Sequence, residues 1–187
     1  DKTTAVCFTM NSMKRVPPLT LSHVKLQFQS DVKYLGITLD RKLLWHRHIQ
    51  QTKGKAIGRT IQLFPLLKSR AMSFKQKLHL YKALVLPILT YASPVWAYAR
   101  PATLRPLQVA QNKCLRIIHG GDWYTTTLQI HSDLNVPLLS SIMKVQVERF
   151  YNNLQSSQNH LVKNLGNYNV LDFTIYRTPK IALQALK

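Results

Sequence analysis

Acidic side chains are scarce in this sequence. Its 187 residues include 26 Lys and Arg but only 7 Asp and Glu, and Glu148 is the single glutamate. Two-metal nucleotidyl transfer requires clustered carboxylates, yet no two acids here lie within four residues of each other. The formal net charge of +19 instead favours a nucleic-acid partner. The alternatives are a ribosomal or mitochondrial basic protein, or a soluble surface with one sign of charge.

Cysteine is also rare, since Cys7 and Cys114 are the only two. Two cysteines provide neither a disulfide framework nor a zinc site. Both lie in apolar periodic segments, so we interpret them as small core residues, and a reducing intracellular compartment fits this usage. His46 and His48 flank Arg47, but without an acid or cysteine beside them they indicate a polar helix start rather than a metal site.

One run without charge covers residues 83–99, and its 17 residues are at the lower limit for a bilayer span. Pro87 and Pro94 interrupt it, so we expect a kinked core helix and no membrane partner. The sequence begins at Asp1 rather than at Met, and no signal peptide is evident. We therefore expect an excerpt of a longer polypeptide or a truncated product.

The hydrophobic periodicity predicts an α+β fold that is mostly α. Residues 3–9 are typical of a strand, and residues 19–29 of a short strand with a turn. The period becomes helical at Trp45, and we expect this first helix to end at Pro65. Its predicted apolar face comprises Ile49, Ala56, Ile57, Ile61 and Phe64.

Residues 32–40 alternate with period two, and we interpret them as one half-buried strand. Leu35, Ile37 and Leu39 would form its apolar core face, and Gly36 would lie on the opposite face beside Tyr34. A glycine inside a strand marks either a packing or turn position or a place where a ligand approaches closely. Taken alone, the short motif favours packing.

Capping and breaking residues delimit four more helices. Ser73 and Gln76 have the spacing of a capping box, and Pro87 should kink or break the helix that follows. Thr103 is expected to cap the next helix, which should end at Gly120. Two further helices are predicted near residues 127–134 and 140–156. The three long patterns each combine an apolar stripe with a basic stripe, which favours a shared nucleic-acid groove over merely solvated faces.

A series of blocks in a fixed order resembles the reverse transcriptase of non-LTR retrotransposons of the insect Jockey type. The resemblance covers about the first 150 residues and is weak after Asn159. Its blocks are residues 2–9, 32–40, 80–96 and 107–118, then Trp123 with Tyr124, then 134–138.

This resemblance implies the end of the polymerase palm with its primer-grip hairpin at residues 1–44, a helical thumb at 45–158, and a poorly defined C-terminal segment at 159–187. The chain would be a fragment of an RNA-directed DNA polymerase that is inactive alone, because the family's Asp-Asp block is missing. Mg²⁺ is expected in the complete polymerase and not in this chain. The alternatives are a repurposed nucleic-acid-binding module without catalysis, or an inert truncated product.

The resemblance also implies which residues act. Tyr34, Leu35 and Gly36 would form the primer grip, and Lys2 would be either an auxiliary to catalysis or a plain surface lysine. The expected partners are an RNA template, the RNA–DNA hybrid and the palm, fingers and endonuclease of the parent polyprotein, in the nucleus and in a cytoplasmic ribonucleoprotein. Nucleic-acid contacts are predicted at Lys33, Arg41, Lys42, Arg47, Lys55, Arg59, Lys75, Lys82, Arg105, Lys113 and Arg116.

Overall fold

The computed structural model describes residues 3–9, 17–21 and 23–163. The described residues up to Gln51 form one compact unit, and those from Thr52 onward form a second. Helices predominate over two small antiparallel sheets, which confirms the predicted α+β, mostly α class. In chain order the elements are β1 (Leu19–Leu21), β2 (Val24–Leu26), β3 (Asp31–Tyr34), β4 (Ile37–Asp40), α1 (His46–Lys68), α2 (Phe74–Leu80), a π-helical turn (Tyr81–Val85), α3 (Leu86–Thr90), α4 (Ser93–Trp96), α5 (Pro101–His119), α6 (Thr127–Asp133), α7 (Leu139–Gln155) and α8 (His160–Lys163).

The first unit contains two antiparallel hairpins, β1–β2 and β3–β4. The strand predicted at residues 3–9 was wrong, because this segment forms only an isolated parallel bridge between Ala5 and Phe28. A strand requires a partner along its length, whereas the described backbone hydrogen bonds of this segment are isolated ones at Ala5 and Thr9. Residues 19–29 likewise contain two three-residue strands instead of the predicted one.

The single strand predicted at residues 32–40 was also wrong, because Leu35 and Gly36 form a tight turn. Their φ angles are 46° and 83°, and two successive positive φ values are typical of a type I′ hairpin turn. Tyr34 pairs with Ile37 across this turn. The predicted apolar core face fails as a result, since Leu35 is 72% exposed and Thr38 is buried instead.

Asp40 organises the connection between β4 and α1. Its carboxylate accepts hydrogen bonds from the backbone N–H groups of Lys42 (3.1 Å), Leu44 (2.9 Å) and Trp45 (2.7 Å). The connection needs this support because Leu43 and Trp45 have φ angles of 49° and 68°, which are unfavourable for side chains of their kind. Trp45 is buried at the point where α1 begins.

Helix α1 is longer than predicted and buries only part of the predicted face, including Ile49 and Ala56. Pro65 lies inside it rather than at its end; a proline in the last turn removes only one intrahelical hydrogen bond. Ile61 and Phe64 are exposed, which contradicts the predicted face. Two threonines belong to the buried stripe, and one satisfies its hydroxyl within the helix, where Thr60 Oγ1 donates to the Ala56 carbonyl at 2.9 Å. The buried positions are His48, Ile49, Thr52, Ala56, Thr60, Leu63 and Leu67.

The capping box at the start of α2 is confirmed. Gln76 N donates to Ser73 Oγ at 3.4 Å, and Ser73 N donates to Gln76 Oε1 at 2.8 Å. The helix then continues through the π-helical turn, which ends two residues before Pro87. A π-helical turn accommodates a missing i→i−4 hydrogen bond, so the predicted disturbance at Pro87 takes this form. Tyr81 and Val85 are fully buried there.

Helix α5 begins at Pro101, with Arg100 as its N-cap. The predicted cap at Thr103 was wrong, because proline at the first helical position already starts the helix and Thr103 is buried inside it. The predicted stop is confirmed, since Gly120 has a φ angle of 65° and its N–H reaches the Arg116 carbonyl at 3.0 Å. The buried stripe includes Leu107, Ala110, Cys114, Leu115 and Ile118.

Polar side chains form several hydrogen bonds in the core of the second unit. Gln111 is 0% exposed, and its Nε2 donates to Tyr81 Oη at 2.9 Å and to the Pro137 carbonyl at 3.2 Å. Gln108 Oε1 accepts from Leu139 N at 2.8 Å, so a side chain of α5 caps the start of α7. Burial raises the pKa of Tyr81 to about 12 and the pKa of Cys114 to about 11, which keeps both groups neutral.

The two later helices, α6 and α7, confirm the predictions near residues 127–134 and 140–156.

Trp96 is fully buried, and its indole N–H donates to the Tyr91 carbonyl at 2.9 Å. Cys114 is buried as predicted, whereas Cys7 is only partly buried. Within the described ranges, no helix is long and apolar enough to cross a bilayer.

Candidate nucleic-acid interface

The tip of the β3–β4 hairpin presents the predicted primer-grip residues to solvent. Tyr34 is 64% exposed and Leu35 more so, and Gly36 completes the turn between them and β4. One residue pair from the turn, β4 is anchored by Thr38, which is buried. Its N–H donates to His48 Nδ1 at 3.3 Å, and its hydroxyl donates to Gln51 Oε1 at 2.6 Å. Because these hydrogen bonds anchor β4 next to the tip, the exposed tip can contact a ligand without rearrangement of the strands.

Gly36 serves the turn, and its φ angle of 83° makes a substitution there a folding test as well as a binding test. We expect Gly36→Val to lower the free energy of unfolding by about 1–3 kcal/mol, because a β-branched residue is strained at positive φ. Gly36→Asn should cost much less, since asparagine tolerates the left-handed region. Denaturant unfolding of both variants measures the difference, and equal stabilities would contradict the turn assignment.

The predicted basic residues of the first unit lie in different surroundings. Lys33 and Lys42 are exposed, and Arg41 is half-buried. Arg47 is exposed but forms an ion pair with Asp31. Asp31 faces Asp40 across the hairpin, so these two acids share one side of it instead of opposite sides as a single strand would require. Each is already occupied, Asp31 by Arg47 and Asp40 by backbone N–H groups.

The second unit presents cations on the outer faces of three helices. On α1, Lys55 and Arg59 are exposed, four residues apart, and Arg59 Nη1 donates to Gln62 Oε1 at 3.1 Å. On α2 and the π-helical turn that follows it, Lys75 and Lys82 are exposed. Both pairs of cations therefore point away from the buried stripes.

On α5 the predicted basic positions share one side of the helix. Arg105 and Lys113 are exposed, and Arg116 is half-buried. Their spacings of eight and three residues place them together, away from the buried Leu107 and Cys114. Among the described residues, Arg116 Nη1 is buried without a hydrogen-bond partner. Helices α1, α2 and α5 contain no acid at all, so their cations have no compensating charge on the same helix.

Metal ligands do not converge in the part of the chain that the structure describes, where no three His, Cys, Asp or Glu side chains form a group. His48 is buried and accepts from the Thr38 backbone, while His46 is exposed two residues earlier. The described residues therefore do not fit a resident Mg²⁺ ion. Lys2, the predicted auxiliary to catalysis, lies outside the described residues.

An exposed aromatic pair between α5 and α6 was noted in the sequence only as a block of the resemblance. Trp123 is 92% exposed, and its ring centroid lies 5.9 Å from that of Tyr124 in an edge-to-face arrangement. The Tyr124 hydroxyl donates to Asp122 Oδ2 at 2.6 Å, and this hydrogen bond to a carboxylate raises the pKa of Tyr124. The signal available in the sequence was two adjacent aromatics after a glycine pair, outside any apolar period.

Curated proteins with similar sequences share one description. The chain is 34% identical over 162 residues to the RNA-directed DNA polymerase from mobile element jockey of Drosophila funebris. This match covers 86% of the chain and 18% of that protein. It is 31% identical over 167 residues to the probable RNA-directed DNA polymerase from transposon BS of Drosophila melanogaster. This match covers 88% of the chain and 18% of that protein. The chain belongs to the jockey-like family of non-LTR retrotransposon polymerases.

A third relative, the probable RNA-directed DNA polymerase from transposon X-element of Drosophila melanogaster, is 28% identical over 167 residues, with 89% of the chain and 18% of that protein covered. The chain thus spans less than a fifth of the length of these jockey-like relatives. No family model and no solved structure matches it. The family assignment confirms the resemblance stated from the sequence blocks.

Proposed function

We propose that this jockey-like chain holds the primer and the RNA–DNA duplex for an RNA-directed DNA polymerase. The observation that carries the proposal is the set of exposed cations on α1, α2 and α5, three helices without a single acid. Such helices neutralise phosphates and release counterions, which binds nucleic acid strongly but with little sequence information. A binding role fits a segment whose described acids are too few and too dispersed for catalysis.

Within this role the hairpin tip is the primer grip. Tyr34 offers a ring and a hydroxyl, and Gly36 has no side chain to keep a phosphate backbone away. Lys33 lies next to Tyr34 in β3 and is exposed. We propose that these residues contact the primer strand, while Lys55 and Arg59 of α1 and the cations of α5 bind phosphates of the duplex.

The remaining functions of the polymerase lie in the rest of the parent protein. Mg²⁺ would be held by carboxylates of the palm, where it would stabilise the charge of the reacting phosphates. The chain would work with the palm and fingers during copying of an RNA template, and with the endonuclease during target cleavage. Copying would take place in the nucleus, after transport in a cytoplasmic ribonucleoprotein, and Lys2 would assist at the palm end.

Charge reversal on α1 tests the proposal. Lys55→Glu with Arg59→Glu should weaken the binding of the 187-residue chain to an RNA–DNA hybrid at least about tenfold at 0.1 M salt. The slope of log affinity against log salt should become shallower by about 2, because each lost phosphate contact removes about 0.9. Fluorescence anisotropy over a salt series provides both quantities.

The matched control reverses the same number of charges on α7. Lys144 and Arg149 are exposed there and belong to no predicted contact, and Lys144 already lies 3.9 Å from Glu148. Lys144→Glu with Arg149→Glu should leave most of the affinity intact. Equal losses in the two double variants would show that only net charge matters, and salt-independent binding would overturn the proposal.

A further inference from the structure

The loop between α5 and α6, residues 120–126, presents an aromatic pair to solvent. Trp123 is 92% exposed and Tyr124 is 68% exposed. Moving such large rings out of water and onto a partner is favourable. The other residues of this loop are glycines, threonines and Asp122, so the pair has no apolar neighbours along the loop. A surface of this size fits one or two planar ligand groups better than the extended apolar core of a protein–protein interface.

Two glycines hold the start of the loop against α5. Gly120 has a φ angle of 65° and ends the helix in the left-handed conformation. Gly121 lies against the His119 ring, because a Cβ added at this position would collide with the ring and would lie 3.0 Å from Thr125 Oγ1. The other side of the ring is held by α6, since His119 Nε2 lies 2.9 Å from Asp133 Oδ2. The loop backbone therefore packs on a side chain that connects both helices.

Hydrogen bonds fix the rest of the loop. Thr125 N donates to the Asp122 carbonyl oxygen at 3.1 Å, and the side chain of Thr126 caps α6. The Tyr124 hydroxyl donates to Asp122 Oδ2, and its ring lies edge-to-face with that of Trp123. An aromatic side chain on a backbone held in this way loses little conformational entropy when it binds. The exposed indole is therefore a pre-organised binding surface.

The charges around the loop favour a ligand with two different parts. Residues 41–121 contain no acid, and the part of α5 that leads into the loop carries exposed Lys113 and half-buried Arg116. These cations attract phosphate. Asp122 would repel phosphate from the aromatic pair itself, where the rings instead offer an uncharged planar face. A nucleotide combines an anionic phosphate with an uncharged planar base, so it satisfies both regions.

We propose that Trp123 stacks on an unpaired base of a single strand that continues from the RNA–DNA duplex, an inference that rests on the proposed function. Bases inside a duplex have both faces covered by their neighbours, so only an unpaired base offers a free face. Stacking on an aromatic side chain is tolerant of sequence, as are phosphate contacts. Trp123 thus adds a contact to bases on a unit whose other predicted contacts are to phosphates.

Two single strands of equal length and charge test the proposal, one of ordinary DNA of about 12 nucleotides and one with an abasic site in place of every base. Trp123→Ala should weaken binding of the 187-residue chain to the ordinary strand about tenfold, because a stacking platform is lost. Binding to the abasic strand should not change, since its phosphates are the same. Trp123→Phe keeps a ring and should retain most of the affinity. Fluorescence anisotropy of labelled strands at one salt concentration measures all of these affinities.

The matched control is Phe150→Ala on α7. Phe150 is 42% exposed and lies edge-to-face with Tyr151, with 5.5 Å between the ring centroids. Its removal should change the affinity for neither strand. Proton NMR detects the stacking itself, because the indole N–H resonance that Trp123→Ala removes should move upfield when the ordinary strand is added. The same resonance should stay in place when the abasic strand is added.

Two outcomes would overturn the proposal. One is an unchanged affinity of Trp123→Ala for the ordinary strand, as expected if the aromatic pair instead contacts another protein segment. The other is an equal loss for the ordinary and abasic strands, which would indicate an effect on folding or charge. A blunt RNA–DNA hybrid separates these outcomes from the proposed function, because its binding should depend on Lys55 and Arg59 but not on Trp123.

Discussion

Asp40→Ala should lower the free energy of unfolding by about 3 kcal/mol, since three backbone N–H groups lose a charged acceptor at once. The connection that they stabilise contains two residues with positive φ, Leu43 and Trp45, and this conformation is unfavourable for side chains of their kind. Denaturant unfolding followed by circular dichroism measures the loss. It also shows whether the hairpin and the start of α1 depend on the same carboxylate.

Two controls make the Asp40 result specific. Asp40→Asn keeps one acceptor oxygen and should cost roughly half as much. Asp31→Ala removes the acid directly across the hairpin, whose partner is the exposed Arg47, so a loss under about 1 kcal/mol is expected. A loss for Asp31→Ala as large as that for Asp40→Ala would contradict the role given to the connection.

Gln111→Ala should lower the free energy of unfolding by about 3–5 kcal/mol. The substitution leaves a cavity and removes the partner of the Tyr81 hydroxyl, the Pro137 carbonyl and the Gln108 amide in a fully buried place. Thermal and denaturant unfolding at constant pH provide the measurement. The effect should be larger than that of any exposed glutamine of the same unit.

Gln111→Met separates the cavity from the hydrogen bonds, because methionine nearly fills the volume but cannot donate. It should recover only the part of the loss due to the cavity. Gln129→Ala on α6 is the exposed control and should cost less than about 1 kcal/mol. If methionine restored the full free energy of unfolding, the hydrogen bonds of Gln111 would contribute little to stability.

The sequence predicts the helices of this chain well where capping and breaking residues coincide with a clear apolar period. The capping box at Ser73 and the stop at Gly120 are examples, since both depend on local backbone chemistry. It fails at residues 32–40 because each arm of the hairpin alternates by itself, so a short alternating run does not reveal the turn. Tyr34 pairs with Ile37 across the turn and shares a face with it, whereas one continuous strand would place these two residues on opposite faces.

The face of α1 was misassigned for a different reason. Thr52 and Thr60 count as polar in a hydrophobic pattern, yet both are buried. A threonine can satisfy its hydroxyl on its own helix, as Thr60 does, and then packs as a small apolar residue. Ile61, in contrast, counts as apolar in the pattern but is 66% exposed. Only the packing of the whole unit decides between such stripes.

The basic positions of the candidate interface are predictions from the sequence, which did not predict their surroundings. The ion pair between Arg47 and Asp31 joins residues 16 positions apart and has no local signature. Hydrogen bonds that lead from Gln108 to His131 connect helices α5, α6 and α7, and the sequence did not predict them. Contacts of this kind depend on tertiary packing. The hydrophobic pattern of a single helix carries no information about which other elements it will contact.

The contrasting environments of the three tryptophans give the molecule its own optical reporters. Trp45 and Trp96 are buried, one in each compact unit, whereas Trp123 is almost fully in water. Buried indoles emit at shorter wavelength and resist soluble quenchers, so acrylamide should select the emission of Trp123. With Trp45→Phe or Trp96→Phe, the remaining buried indole would follow the melting of one unit while Trp123 follows the loop between α5 and α6.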